Sequence, residues 1–253
     1  MADGEGGRDP VNIVAIIQAR MGSSRLPAKV MKDVSGQPML ARVVNRVRRA
    51  KMPSKVVIAT STETADVAIA EFCDAYSVPV FCGNELDVLD RYYQAARVHA
   101  ADVVVRITSD CPLIEPEILD RVVEAFQGSQ PDYASNTMVR TYPRGLDVEV
   151  VGMAALDRAW REASGGYQRT HVTPYFYQNP MLFRCLNVAD KLDHSAYRWT
   201  VDTTEDLEFV RAIYARLGPS GVFSWRDVLD LLECEPALVG INRGVPQKTL
   251  QEG

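Results

Sequence analysis

Gln18-Ala-Arg-Met-Gly-Ser-Ser-Arg-Leu-Pro-Ala-Lys29 follows the apolar run Ile13 to Ile17 and precedes the turn Ser35-Gly36-Gln37-Pro38. The apolar run reads as a buried strand. The loop after it holds Gly22, two serines and the cations Arg20, Arg25 and Lys29, so backbone N–H groups and fixed positive charge can face a polyanion there. Ligands of parallel α/β sheets collect where strands end in such loops. The stretch therefore predicts an α/β protein with a phosphate site at the carboxyl edge of its sheet.

Further along the chain, strand and helix signals alternate. A helix is expected from about Met39 to Ala50, with Leu40, Val43, Val44 and Val47 on one face and Arg42, Arg46 and Arg49 on the other. Val56 to Ala59 is a short buried strand. Thr60 and Glu63 stand at capping-box spacing for a helix reaching about Tyr76. Val78 to Phe81 and Val103 to Ile107 are further strands, separated by a helix over Glu85 to Ala100. This order predicts a mostly parallel sheet covered on both faces. Pro116 opens a helix to about Phe126, and Asp132 to Asn136 is a strand. Leu146 to Val150 alternates apolar and acidic residues, which predicts a strand with one wet face. Helices at Met153 to Ala163, Gln168 to Tyr177, Glu205 to Leu217 and Trp225 to Leu232 are expected. So are strands at Leu182 to Val188 and just before Asp202.

Composition bounds the function. The 253 residues are 47% hydrophobic and 24% charged with a net charge of -5, as in ordinary globular proteins. A broad nucleic-acid or anionic-membrane surface would need a basic excess, so neither partner is expected. No apolar run approaches the length of a membrane span, and the polar, Gly-rich segment 1–10 reads as disordered. The remaining residues, 11–253, read as one α/β domain, since no long linker interrupts them. Five scattered cysteines without a C-x-x-C pair indicate neither a zinc cluster nor a disulfide framework, and a reducing cytoplasm is the expected location.

Two acids follow strand ends. Asp110 comes just after Val103 to Ile107, and Asp202 follows Trp199-Thr200-Val201. Carboxylates at such positions beside a phosphate loop suit a hard divalent cation. Asp110 could instead cap a helix or turn before Pro112. Glu205 and Asp206 sit in a first helical turn, where negative charge needs no ligand role. If Gln168 to Tyr177 is helical, His171 and Tyr175 share a face suited to a polyhydroxylated acid. Arg140 to Gly145, which includes Tyr142, is a candidate loop over an acceptor pocket, and Glu149 could face the same space or water.

Together these stretches resemble the signature of the cytidylyltransferases that make CMP-activated acidic sugars, such as the 3-deoxy-manno-octulosonate and acylneuraminate enzymes. The nearest wording is that of the spore coat polysaccharide biosynthesis protein F branch. Gln18 to Lys29 with Gly36-Gln37-Pro38-Met39, Ser109 to Ile114, Tyr133 to Asn136, Tyr142 to Glu149, His171 to Tyr175 and Val201 to Leu207 carry the resemblance, which spans residues 12–217. It implies a three-layer nucleotide-diphospho-sugar transferase-like α/β fold, a homodimer and transfer of CMP from CTP to an acidic sugar. It further implies that Gln18, Ala19, Arg20, Gly22, Ser23, Arg25 and Lys29 hold the nucleotide and that Asp110 and Asp202 hold Mg2+. Arg20, Lys29, Asp110 and Asp202 would be the catalytic residues, with Arg140, Tyr142, Glu149, His171 and Tyr175 around the acceptor. Ala28 replaces the glycine of the octulosonate enzymes, which restricts φ > 0 at that position.

Other readings remain open at the level of sequence. One is the same fold with another nucleotide or acceptor, and another is a non-catalytic nucleotide-binding homologue. A dinucleotide-dependent oxidoreductase is disfavoured because no G-x-G-x-x-G follows Ile17.

Overall fold

Residues 10–247 are described by a computed structural model, so the expectation for residues 1–10 falls, apart from Pro10, outside the described residues. The strands are β1 (Ile13–Gln18), β2 (Asp33–Val34), β3 (Gln37–Pro38), β4 (Lys55–Ser61), β5 (Val80–Gly83), β6 (Val103–Thr108), β7 (Tyr133–Ser135), β8 (Glu149–Gly152) and β9 (Cys185–Asn187). The helices are α1 (Met39–Val47), α2 (Val67–Ala75), α3 (Val88–Val98), α4 (Pro116–Ser129), α5 (Met153–Glu162), α6 (Gly166–His171), α7 (Pro174–Tyr177), α8 (Thr204–Leu217) and α9 (Trp225–Cys234).

Seven strands form one sheet in the order β5-β4-β1-β6-β8-β7-β9. β8 runs antiparallel to both of its neighbours, and the other pairings are parallel. The buried strand β1 shows why the sheet sits inside. Ile13, Ala15 and Ile17 point into a layer with α1, α2, α4 and α8, whereas Val14 and Ile16 point into a layer with α3, α5 and α7. Alternation along a strand sends successive side chains to opposite faces, so an unbroken apolar run requires cover on both. The mostly parallel, three-layer α/β architecture is thus the one expected.

Several local expectations are corrected. Arg42 and Arg46 are buried, not on a wet helix face. Their guanidinium groups donate to the carbonyls of Val34, Ser35, Pro219, Ile114, Gly221 and Phe223, and Arg46 also meets Glu115. All of these carbonyls but that of Val34 belong to loops, and buried acceptors must be satisfied. Thr60 and Ser61 finish β4 and do not form the expected capping box; α2 begins only at Val67 after a 3-10 turn. β8 begins only at Glu149; Leu146, Val148 and Val150 are buried, whereas the alternate residues Asp147, half-buried, and Glu149, buried, line an open cavity. Gln168 to Tyr177 breaks at Val172, whose φ of 70° ends α6 before Pro174 opens α7. No strand precedes Asp202, where an isolated bridge joins Arg144 to Arg198.

Candidate active site

Three segments meet at the carboxyl edge of the sheet. Gln18 of β1 lies opposite Thr108 of β6, so the loops that leave these strands emerge side by side. The Ser109 amide donates to the Gln18 carbonyl at 3.0 Å and fixes their spacing. The third segment arrives through the Asp110 carbonyl, which accepts from the Val201 amide at 2.8 Å and from the Thr200 hydroxyl at 3.3 Å. Asp110 does not cap a helix, since α4 starts six residues later.

Lys29 completes the junction. It begins a 3-10 turn after Ala28, which adopts the left-handed conformation at φ 54° and ψ 30°. The Lys29 ammonium donates to Asp110 Oδ2 at 3.0 Å, Asp202 Oδ1 at 2.9 Å and the Val201 carbonyl at 2.9 Å. The other Asp202 oxygen is shared by Arg25 at 3.0 Å and Arg198 at 2.8 Å. Arg198 is held in turn by Asp206, which closes a capping box with Thr203 at the start of α8. Asp206 also accepts from Asn242, and Arg198 donates to Gln247, so the end of the described chain braces this group.

Burial opposes the charge of both Lys29 and Asp110, yet their attraction outweighs it. The lysine is held above its ordinary value by the two carboxylates, and Asp110 is lowered to about 2 by Lys29 and the 2.6 Å hydrogen bond from the Thr108 hydroxyl. Cys111 next to it is buried, and burial with the neighbouring Asp110 charge drives its thiol far up, so it is no nucleophile at neutral pH.

The donor set fits a hard divalent ion. Two carboxylate oxygens already lie within 3.0 Å of a single positive centre, the Lys29 nitrogen. Among the described residues there is no group of three or more His, Cys, Asp or Glu side chains arranged for a metal. Two protein carboxylates with substrate phosphates and water are the usual surroundings of Mg2+.

A cavity of about 1070 Å³ opens beside this junction. Thr108, which bonds Asp110, is in its wall, as are Arg106, Arg140, Arg144, Glu149 and His171. Glu149 accepts from Arg106 and from the Tyr133 hydroxyl. Arg140 makes a two-point pair with Asp147 at 2.5 and 2.9 Å. Tyr142 is not at this cavity: it is buried, its ring against Trp225 and its hydroxyl accepting from Arg121. Tyr175 is also placed elsewhere, donating to Glu162, because the break at Val172 turns it away from His171. Tyr177, two positions on, lines the cavity instead.

In the loop of residues 18–29, Ala19 is buried and its amide donates to the Ala59 carbonyl, while Arg20 is exposed and Ser23 half-buried. Arg20 has no hydrogen-bond or ion-pair partner among the described residues. Gly22 lies against the Glu85 carboxylate, and Gln18 accepts from Arg106 at 3.3 Å. Arg106 escaped sequence reasoning although a lone arginine in the apolar run Val103 to Ile107 was a signal. Arg198 carried no local signal, since its role depends on partners brought in by the fold.

Comparison with known proteins adds to this geometry. A family model described as cytidylyltransferase matches residues 14–227. The spore coat polysaccharide biosynthesis protein SpsF of Bacillus subtilis is 34% identical, covering 89% of this chain and 95% of that protein. A 3-deoxy-manno-octulosonate cytidylyltransferase of Anaeromyxobacter is 30% identical over 80% of this chain and 97% of its own. The structure of a cytidylyltransferase from Leptospira borgpetersenii superposes with a TM-score of 0.88 at 30% identity, covering 95% of this chain and all of that one.

Proposed function

The chain belongs to the cytidylyltransferase family, and from that premise we propose that it transfers CMP from CTP to an acidic 2-keto-3-deoxy sugar. Pyrophosphate is released, and the CMP-sugar feeds a surface polysaccharide or glycan. The observation that carries this reading is the convergence of Asp110 and Asp202 on Lys29, between the loop of residues 18–29 and an arginine-lined cavity.

The chain's own residues supply positioning and charge. Arg20, exposed and unpaired among the described residues, is the first contact for the triphosphate, and the Gly22 amide and Ser23 hydroxyl add donors. Lys29 and Arg25 exchange their carboxylate partners for phosphate oxygens when CTP enters. Asp110 and Asp202, released from Lys29, would hold Mg2+. When bound, that ion neutralises phosphate charge and makes the attacking hydroxyl more acidic. The acceptor lies in the cavity, where His171 and Glu149 meet its hydroxyls and its anomeric hydroxyl is directed in line at the α-phosphorus of CTP. The O–P bond forms as the bond to pyrophosphate breaks, and the hydroxyl proton leaves to solvent. Such transfer depends on orientation and electrostatic stabilisation more than on a covalent nucleophile, in keeping with the inert Cys111.

Pyrophosphate release from CTP, UTP, ATP and GTP with Mg2+, in the presence of 3-deoxy-manno-octulosonate or N-acetylneuraminate, tests the reading. Release from CTP with at least one sugar acid supports it. Release from UTP or GTP but not from CTP overturns the base assignment, and release from none overturns the reaction. No described helix is long and apolar enough to cross a membrane.

A further inference from the structure

We propose that Arg144 binds the acid group of the acceptor and thereby selects acidic over neutral sugars, an inference that rests on the acidic-sugar reading above. Three arginines reach the large cavity, and two are already neutralised, Arg106 by Glu149 and Arg140 by both oxygens of Asp147. Arg144 stands apart from them. Its guanidinium has no hydrogen-bond or ion-pair partner among the described residues, although the residue is half-buried. Burial, then the nearby charges of Arg140 and Arg198, disfavour its protonated form, whereas Asp147 only partly compensates.

A cation in a half-enclosed site whose nearest carboxylate, Asp147, is already engaged by Arg140 is relieved by an anion that enters it. The planar guanidinium offers two parallel donors to a carboxylate, which an ammonium cannot.

Nor is Arg144 a loose surface side chain. Its amide donates to the Tyr197 carbonyl at 3.0 Å, and its carbonyl accepts from the Trp199 amide at 2.7 Å. Gly145 after it has φ of 104°, and a Cβ there would lie 2.6 Å from the Thr200 nitrogen. The backbone of Arg144 is therefore fixed to the same segment that delivers Asp202. In a 2-keto sugar acid the carboxylate is bonded to the anomeric carbon. A guanidinium that grips it consequently orients the attacking hydroxyl as well, which ties selection of the acid to the geometry of transfer.

The full chain and its Arg144→Gln and Arg144→Lys variants decide the matter. Pyrophosphate release is followed with 3-deoxy-manno-octulosonate, with N-acetylneuraminate and with the methyl ester of each, and CTP binding is measured by calorimetry. The wild type is expected to favour an acid over its ester. In Arg144→Gln the acceptor KM should rise about 10- to 100-fold for the acid and little for the ester. CTP affinity should stay the same, and Arg144→Lys should recover part of the loss. An Arg144→Gln variant that keeps the wild-type preference for acid over ester overturns the assignment and leaves the acidic-sugar reading standing. Loss of CTP binding in that variant makes Arg144 structural and also overturns it. A wild type that binds CTP yet uses ester and acid alike, or uses neither, overturns the reading and the assignment together.

Discussion

The Lys29 ammonium lies 2.9 Å from Oδ1 of Asp202, a residue 173 positions away in the chain. Asp110 shares the same nitrogen at 3.0 Å. The cationic loop after the first strand and two acids distant in sequence thus occupy one spot, where Lys29 neutralises both carboxylates.

Removing that ammonium should change how stability depends on pH. Asp110 is held at about 2 in the folded protein, below its ordinary value near 3.9. Its pairing therefore adds stability in full above about pH 4, and that contribution is lost as pH falls from about 4 to about 2. Lys29 is shifted the other way, so its share is complete below about pH 10 and is lost as pH rises through its raised value. Lys29→Met should lower stability by about 1–3 kcal/mol at pH 7, with the gap to wild type closing toward pH 2. Denaturant midpoints from pH 2 to 7 measure this. A gap that stays constant over the range would mean that the pairing contributes nothing.

Ala28 holds a left-handed conformation that costs a residue with a Cβ roughly 1 kcal/mol. Ala28→Gly should therefore leave stability unchanged or raise it by up to about 1 kcal/mol, because glycine's greater freedom in the unfolded chain offsets part of the relief. Thermal unfolding should show a midpoint equal to or above wild type. A drop of several degrees would show that the loop relaxes alanine's strain in another way.

Gly145→Ala should do the opposite. The new methyl would press on the Thr200 nitrogen and the Trp199 carbonyl carbon at 2.6 Å each, at a position with φ of 104°. A loss of at least about 2 kcal/mol is expected, together with reduced turnover, since Arg144 and the segment leading to Asp202 shift with it. Unfolding midpoints and steady-state kinetics would register both, and an unperturbed variant would contradict the tight docking of these two segments.

Much of this was legible in the sequence because it rests on local patterns. The apolar run Ile13 to Ile17, the loop of residues 18–29 and the acids placed just after apolar stretches each announce themselves within a few residues. Where reading failed, the deciding partner lay far off. Arg42 and Arg46 look like a solvated helix face until the loops around 219–223 supply the carbonyls that bury them. His171 and Tyr175 have helical spacing, but Val172 takes positive φ ahead of Pro174 and separates them. Tyr142 sits in a motif full of candidate site residues, yet its ring fills the core beside Trp225. The neutralisation of Arg140 by Asp147, which leaves Arg144 unpaired, depends on side-chain geometry that spacing alone does not determine.

Binding of Mn2+ as a spectroscopic stand-in for Mg2+, titrated with and without CTP into the wild type, Asp110→Asn and Asp202→Asn, tests the central claim most directly. The account predicts that CTP sharply strengthens Mn2+ binding in the wild type and that either substitution abolishes this gain while the fold is kept, with turnover falling by orders of magnitude. Mn2+ affinity and turnover that survive both substitutions would contradict it.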